Sequence, residues 1–300
     1  MLEVLINPIL PVFAILALGY LFGRMAWMSA EDARVLNRFA MTVFVPILVF
    51  SLIARAPLQD YSAAPILGYI AAQGVVFCGA FLLARRVFRL DAGESVLLGF
   101  CSVGANNVFF GLPIALLIFG QPAVLPLTSI ITLDATVSFA LSMAALQLIT
   151  LGRAGPLSIL RSLAKLPVLH AIVAGALTAL IGVPIPPPVE TFLDFNGSAA
   201  APIALFALGV VLSQTALKID ARVAVFSVTK LVVFPATVWA GLRIVGVAEP
   251  EAGLYLFASA GPTITMAFSL ALLFNVRTEI IGQVVVWTSV FSLLSLAALA

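Results

Sequence analysis

The amino-acid sequence predicts an all-α polytopic membrane protein with ten transmembrane helices, arranged as two inverted five-helix repeats. Three observations support this fold class. The chain of 300 residues is 63% hydrophobic and 9% charged, whereas soluble domains carry about 25% charged residues. Ten apolar runs are each long enough to cross a bilayer, which takes about 20 residues. The positive charges between these runs fall almost entirely on one side.

Charged residues and Gly/Pro breaks divide the chain into the ten runs. We predict spans 1 to 10 at residues 5–23, 35–54, 62–84, 95–119, 122–150, 165–183, 197–217, 223–245, 251–275 and 279–299. No connection between them is long enough for a soluble domain. The first run has no positive segment before it and no small-residue cleavage site. We therefore interpret it as a retained transmembrane helix rather than a signal peptide.

Lys and Arg are distributed asymmetrically along the chain. Twelve of them lie at the connections that follow odd-numbered spans, and only Arg55 and Arg243 lie at the opposite connections. Because cytoplasmic loops are enriched in Lys and Arg, we predict that the loop after span 1 is cytoplasmic. Both termini are then extracytoplasmic, and the expected location is the plasma membrane, that is, the bacterial inner membrane.

Composition also excludes several function classes. The net charge of +2 is too small to indicate a nucleic-acid partner. Cys78 and Cys101 both lie in apolar runs, so no disulfide framework follows from them. No Cys/His cluster suggests a metal and no cofactor is expected. The single histidine, His170, lies near the start of span 6 and is interpreted as interfacial, so we expect no enzymatic activity.

The second half of the sequence resembles the first at an offset of about 157 residues. ESVLLGFCSVG (94–104) lies over EAGLYLFASAG (251–261), and PILVFSL (46–52) lies over PIALFAL (202–208). We therefore predict one membrane domain built from repeats 1–154 and 155–300. Because each half has an odd number of spans, the second half enters the membrane from the opposite side. Inverted repeats with broken helices are typical of secondary transporters.

The offset superimposes spans 4 and 9, which are the most heavily interrupted. Span 4 contains GANNVFFGLP (104–113), and span 9 contains SAGPTITM (259–266). At a rise of about 1.5 Å per residue, Asn106 and Pro262 each lie near the middle of the bilayer. Polar and helix-breaking residues are tolerated at that depth where they line a cavity. We therefore predict the substrate site at these two breaks.

The chain resembles the auxin efflux carrier family in its short bacterial form, often described as malate or malonate permeases. The resemblance rests on LNRFAMTVFVPILVF (36–50), NNVFFGLP (106–113), APIALFALGVVL (201–212) and GPTITMAFSLALLFNV (261–276). The family pattern of Asn followed by Gly-x-Pro falls on Asn106, Gly111 and Pro113. Its ninth-helix proline falls on Pro262, and the asparagine that closes that helix falls on Asn275.

This resemblance implies that broken helices 4 and 9 cross at the midplane, that both termini lie outside, and that the protein is often a homodimer. Two departures bear on the substrate. The long central loop of the plant members is absent from this sequence, and Asn107 stands where the family more commonly has Thr.

The candidate substrate-binding residues lie at the two breaks: Asn106, Asn107, Gly111, Pro113, Gly261, Pro262, Thr263 and Thr265. We expect Asn106 to donate its amide N–H to a substrate carboxylate, while the free N–H groups of a broken helix favour an anion. Other roles stay open. The asparagines could form interhelical hydrogen bonds, the threonines could bond to the preceding turn, and the glycines could serve packing alone.

Two charged residues within the spans are candidates for ion or proton coupling. Asp134 lies at mid-depth in span 5, where a carboxylate costs on the order of 3 kcal/mol and needs a partner, water or a proton. Lys230 in span 8 could pair with Asp134, attract the substrate, or extend to the interface. Pro46 and Pro202 lie at matched positions in spans 2 and 7, as hinge points or as static kinks.

Together these features predict a secondary transporter that moves a small organic anion, such as malonate, malate or an auxin-like acid, by alternating access. Its expected partners are this substrate and the lipid bilayer.

One alternative is a sodium-coupled organic-anion symporter of the bile-acid type, although the termini of that family normally face the cytoplasm. An intramembrane enzyme would need a nucleophile with its base, a carboxylate pair or metal ligands at one depth. A structural scaffold would not explain two polar breaks at repeat-related positions.

Overall fold

The fold is known from a computed structural model that describes residues 14–55, 62–151, 164, 167–214 and 218–299. Over these residues the secondary structure is helical, apart from one isolated β-bridge. The helices are α1 (Ala14–Arg24), α2 (Ala30–Ala54), α3 (Ala63–Val87), α4 (Ala92–Val103), α5 (Leu112–Phe119), α6 (124–151), α7 (Pro167–Ile181), α8 (Pro187–Gln214), α9 (Ala221–Ile244), α10 (Glu251–Ser259), α11 (Met266–Leu273) and α12 (Glu279–Ala297).

Polar side chains fix the starts of several helices. Ser29 caps α2 and forms a reciprocal capping box with Asp32, while Asp91 and Glu94 form the same arrangement at the start of α4. Asp220 accepts the Val223 N–H at the start of α9. Each cap satisfies backbone N–H groups that have no partner within the helix. These helices therefore begin directly after a polar residue that caps the first turn.

Four of the described helices are long and apolar enough to cross a membrane: α2, α3, α8 and α9. Several shorter helices are also apolar, which agrees with a polytopic membrane protein. Predicted span 4 is divided between α4 and α5, and span 9 between α10 and α11. The first nine residues of span 1 lie outside the described residues. The count of ten spans and the inverted repeat remain predictions.

Span 7 begins earlier than the sequence suggested. It was predicted to start at residue 197, but α8 starts at Pro187. Proline suits the first turn of a helix because its missing N–H has no intrahelical partner there. The charged and polar residues of 187–197 interrupt the apolar pattern, so hydropathy alone assigned this first part of α8 to a loop.

Within the described ranges, five segments adopt the wider π-helical geometry. They are Ala40–Phe44 in α2, Leu83–Val87 in α3, Asp134–Ser138 in α6, Thr229–Val233 in α9, and Asn107–Gly111 just before α5. Such single π turns are frequent at functional sites. Both charged residues that the sequence placed deep in the membrane, Asp134 and Lys230, lie in π turns.

The chain forms two compact units, each built from helices of both halves of the sequence. One contains α1, α2, α5, α7 and α8, and the other contains α3, α4 and α9 to α12. Helix α6 belongs to the first unit up to Thr128 and to the second from Ser129. The predicted repeats 1–154 and 155–300 divide the chain in sequence order instead, and that division remains a prediction.

In the first unit, α1 and α8 approach so closely that both need glycine at the contact. A β-carbon at Gly19 would lie 2.1 Å from the Phe206 carbonyl oxygen, and one at Gly209 would lie 2.0 Å from that of Leu16. The proposed hinge residues also lie in this unit, with Pro46 half-buried in α2 and Pro202 exposed in α8. Their role as hinges remains a prediction.

Candidate functional site

Both polar motifs in spans 4 and 9 interrupt their helices in the second unit. Helix α4 ends at Val103, and Gly104 takes an extended conformation with φ −69° and ψ 129°. Helix α10 ends at Ser259, and α11 begins only at Met266. The interruptions therefore fall at 104–106 and 260–265, within the segments that the sequence singled out.

The two interruptions lie against each other and exchange backbone hydrogen bonds. Ala105 and Thr263 form an antiparallel bridge. The Asn106 N–H donates to the Pro262 carbonyl oxygen at 2.8 Å, and the Ile264 N–H donates to that of Gly104 at 3.1 Å. Backbone groups released from one helix are thus satisfied by the other, as buried peptide groups require. We call residues 104–107 and 260–264 the junction.

Thr263 holds the junction to the neighbouring helices. Its hydroxyl donates to the Cys101 carbonyl oxygen at 2.7 Å, and its N–H donates to the Thr288 hydroxyl at 3.1 Å. The Ser295 hydroxyl donates to the Ala260 carbonyl oxygen at 2.8 Å. The Thr263 hydroxyl therefore bonds across to α4 rather than to its own preceding turn.

The Asn107 side chain is the most unusual group of the junction. It is 1% exposed, and neither its amide nitrogen Nδ2 nor its oxygen Oδ1 has a hydrogen-bond partner among the described residues. A β-carbon added at Gly261 would lie 3.7 Å from Oδ1, which is an ordinary contact distance. Asn106, which the sequence favoured as the substrate contact, is also buried, at 4% exposed.

Asp134 connects α3 and α6 to the junction. One carboxylate oxygen accepts from the Gln73 amide at 2.6 Å, and the other accepts from the Ala105 N–H at 3.3 Å. The Ser138 hydroxyl, one turn along α6, donates to Gln73 Oε1 at 3.3 Å and to Asp134 Oδ1 at 3.4 Å. A buried carboxylate with several donors is far better accommodated than a bare one, so Asp134 anchors the break after α4.

Lys230 lies in the same unit as Asp134. Its side chain is fully buried, its Nζ donates to the Ser259 carbonyl oxygen at 2.6 Å, and the same atom lies 4.8 Å from the centre of the Phe234 ring. It does not extend to an interface. In the described part of the chain the ion pairs are Arg55–Asp194 and Arg222–Asp220, so Lys230 and Asp134 are not in direct contact.

The remaining candidate residues are spread over both units. Gly261, Pro262 and Thr263 are buried in the junction, while Thr265 is half-buried beyond it. Gly111 and Pro113 lie on the helical segment that runs on from Asn107, in the part that belongs to the first unit. Within the described ranges, no cluster of three His, Cys, Asp or Glu side chains is placed to hold a metal ion.

Sequence reasoning did not identify the direct partners of the two charged groups. Gln73 is the residue that meets Asp134, and the Ser259 carbonyl oxygen is the acceptor for Lys230. One signal pointed to Gln73, because it stands 157 residues before Lys230, which is the offset of the predicted repeat. Chemically, the site offers amide, hydroxyl and charged groups suited to binding and releasing a polar ligand.

Comparisons with known proteins cover nearly the whole chain. A family model described as membrane transport protein matches residues 4–151 and 156–300. A protein of Rhizobium meliloti (strain 1021) carries a provisional name as a malonate transporter. It is 29% identical to this chain over 299 residues, which cover 97% of this chain and 93% of the relative. An uncharacterized transporter of Methanocaldococcus jannaschii is 26% identical over 301 residues, covering 96% of both chains. The uncharacterized transporter YfdV of Escherichia coli (strain K12) is 26% identical over 294 residues, covering 93% and 91%.

Proposed function

This chain belongs to the membrane transport protein family, that of the auxin efflux carriers, and we propose that it is a secondary transporter of a small carboxylate. The match to this family confirms the resemblance to the auxin efflux carriers that the sequence motifs indicated, and it identifies the chain as a membrane transporter. The relatives give no support to a symporter of the bile-acid type. The substrate, the mechanism and the orientation in the plasma membrane are our proposals.

We propose a dicarboxylate such as malonate or malate as the substrate. The name of the Rhizobium relative points to malonate, and the polar groups of the junction suit a small anion. The segment that leads into α5 starts at Asn107, and the first N–H groups of a helix favour negative charge. An aromatic monocarboxylic acid of the auxin type is the second candidate substrate.

One observation carries the proposal: the Asn107 amide is buried and unpaired at the point where two interrupted helices meet. Leaving a buried polar group unsatisfied costs about 1–3 kcal/mol, so such a group in a native fold calls for an explanation. A bound substrate supplies the missing partners. Asn106, its buried neighbour, is the second amide proposed to contact the substrate.

We further propose that transport follows alternating access and that Asp134 and Lys230 couple it to an ion or a proton. Both are buried in the unit that contains the junction, and each bonds to a residue of a junction-forming helix or break. The termini are proposed to be extracytoplasmic, from the Lys and Arg distribution. A homodimer, implied by the family resemblance, is proposed as the assembly.

Counterflow in proteoliposomes tests the proposal. Proteoliposomes that contain the purified protein are loaded with one unlabelled acid. Uptake of labelled malonate, malate, succinate and indole-acetic acid is then measured with and without a sodium or pH gradient. We expect exchange of intact malonate or malate. Chemical conversion of the acid would indicate an enzyme instead, and failure to exchange any carboxylate would refute the proposed function.

Asn106→Ala is the matching variant, because alanine keeps the backbone N–H that donates to Pro262. We expect loss of exchange with a melting temperature close to that of the wild type. Asn196→Ala, which removes an amide that bonds within α8, serves as the control and should exchange normally. Loss of folding together with loss of exchange would assign Asn106 a structural role.

A further inference from the structure

The unpaired Asn107 amide specifies which chemical groups a ligand must present. An amide offers a donor, Nδ2, and an acceptor, Oδ1, side by side. An ionised carboxylate only accepts hydrogen bonds, so it would satisfy Nδ2 and leave Oδ1 facing another electron-rich oxygen. A protonated carboxyl group offers an O–H donor and a carbonyl acceptor with the same spacing, and so satisfies both atoms.

No group among the described residues donates a hydrogen bond to Oδ1. The Thr263 hydroxyl donates to Cys101, the Thr288 hydroxyl donates to Val284, and the Gln73 amide donates to Asp134. A β-carbon added at Gly261 would lie 3.7 Å from Oδ1, and a methyl group there would not donate. A bound ligand can supply this missing donor.

We propose that Asn107 recognises a protonated carboxyl group, so that the transporter binds a dicarboxylic acid as its monoanion. The proton stays on the carboxyl group that meets Asn107, while the ionised carboxylate lies toward Asn106 and the start of the helical segment. This inference rests on the proposed function, since it requires a dicarboxylate at the junction. It deepens that function by naming the ionisation state that is carried.

Two malonate analogues separate the protonated form from the ionised one. Malonamate carries a carboxamide in place of one carboxyl group, which is a permanent donor and acceptor at every pH. Monomethyl malonate carries an ester there, which accepts but does not donate. We expect malonamate to compete with labelled malonate in proteoliposomes, and monomethyl malonate to compete at least tenfold less well.

The pH dependence gives an independent readout. Above the second ionisation of malonic acid, the monoanion falls about tenfold for each pH unit, so the KM for total malonate should rise by the same factor. The KM for malonamate should stay constant over the same range, because its amide does not titrate. Titration of the protein itself would change both values together, so the comparison isolates the substrate proton.

Asn107→Leu tests the residue. Leucine branches at the same carbon as asparagine and removes a buried unsatisfied amide. This gain should offset the cost of fitting its larger side chain, so the melting temperature should stay close to that of the wild type. The KM values for malonate and for malonamate should both rise at least tenfold. If wild-type KM for malonate is constant with pH and malonamate does not compete, this inference is wrong while the proposed function stands. If the wild type carries no carboxylate, both are refuted.

Discussion

Lys230 donates a hydrogen bond to the Ser259 carbonyl oxygen at 2.6 Å, which places a fully buried cation at the C-terminal end of α10. A positive charge is favourable there, because the last carbonyl groups of a helix carry partial negative charge. Gln73, which lies 157 residues earlier in the sequence, supports the break after α4 through Asp134, which accepts the Ala105 N–H. Positions at the offset of the predicted repeat thus fix the two breaks by different chemistry.

We predict that Lys230→Met abolishes transport without lowering the melting temperature. The ammonium lies in a fully buried position without a carboxylate in direct contact, and such a charge is costly to bury. Methionine fills a similar volume without that cost, so stability should stay constant or increase. Transport and thermal unfolding of the purified variant check this.

Lys218→Met makes the same charge change at an exposed position just before α9 and should leave transport intact. A Lys230→Met protein that melts well below the wild type would show that the Ser259 hydrogen bond stabilises the fold by more than burial of the charge costs. Full transport in that variant would remove Lys230 from the mechanism.

For Asp134→Asn we predict that a pH gradient no longer drives accumulation, while exchange at equal concentrations persists. Asparagine resembles the protonated acid, and only different affinities of two protonation states can bias a transport cycle. The network remains satisfiable, because the new amide and the Gln73 amide can both rotate by half a turn. Uptake with and without a pH gradient checks this.

Asp194→Asn, which removes an exposed carboxylate that pairs with Arg55 in the other unit, is the control and should retain gradient-driven uptake. If Asp134→Asn still concentrates substrate under a pH gradient, Asp134 does not carry the coupling proton.

Alanine substitutions at two glycines of the junction should affect different properties, stability in one case and substrate binding in the other. A β-carbon at Gly104 would lie 2.6 Å from Ile264 Cγ2 and 3.1 Å from the Phe100 carbonyl oxygen, so Gly104→Ala should destabilise the protein by about 1–3 kcal/mol through overpacking. A β-carbon at Gly261 meets no atom closer than 3.7 Å. Gly261→Ala should therefore fold normally, yet fill space beside the Asn107 amide and raise KM several-fold.

Thermal unfolding and malonate exchange, measured on both variants, separate these effects. Equal melting temperatures for the two alanine variants would contradict the close approach at Gly104. An unchanged KM in Gly261→Ala would mean that the substrate does not occupy the space beside Asn107.

A reporter enzyme that is active only in the cytoplasm, fused to the C-terminus, should remain inactive. The prediction follows from the twelve Lys and Arg residues on one side against two on the other. The same reporter inserted after Arg86, in a connection predicted to be cytoplasmic, should be active. That activity would show that the reporter folds when it is fused to this protein. An active C-terminal fusion would overturn the topology and the inverted repeat with it.

The positions of the two breaks could be predicted from sequence, because Gly, Pro and Asn are conspicuous within apolar runs. The role of each side chain could not. On a regular helix Asn106 and Asn107 would point in different directions, but Gly104 is extended and Asn106 pairs with Pro262 through its backbone. The direction of the following side chains therefore depends on a backbone conformation that helical periodicity does not describe.

The partner of Asp134 could not be predicted for a related reason. Opposite charge made Lys230 the obvious candidate, and charge can be read from the sequence. The structure instead gives Asp134 a neutral amide and a backbone N–H. Such contacts arise from the packing of α3 and α6 and from the opened end of α4, which no local pattern specifies.

The interleaving of the two compact units has a consequence for how the chain is made. The first unit includes α1 and α2 but also α7 and α8, and the second begins with α3 and finishes with α12. When synthesis has passed α6, pieces of both units are in the membrane and neither is complete. The early helices must wait for partners that are translated much later, so insertion and folding are separated in time. A protein released halfway through translation would lack a finished core of either kind and would be a substrate for quality-control proteases.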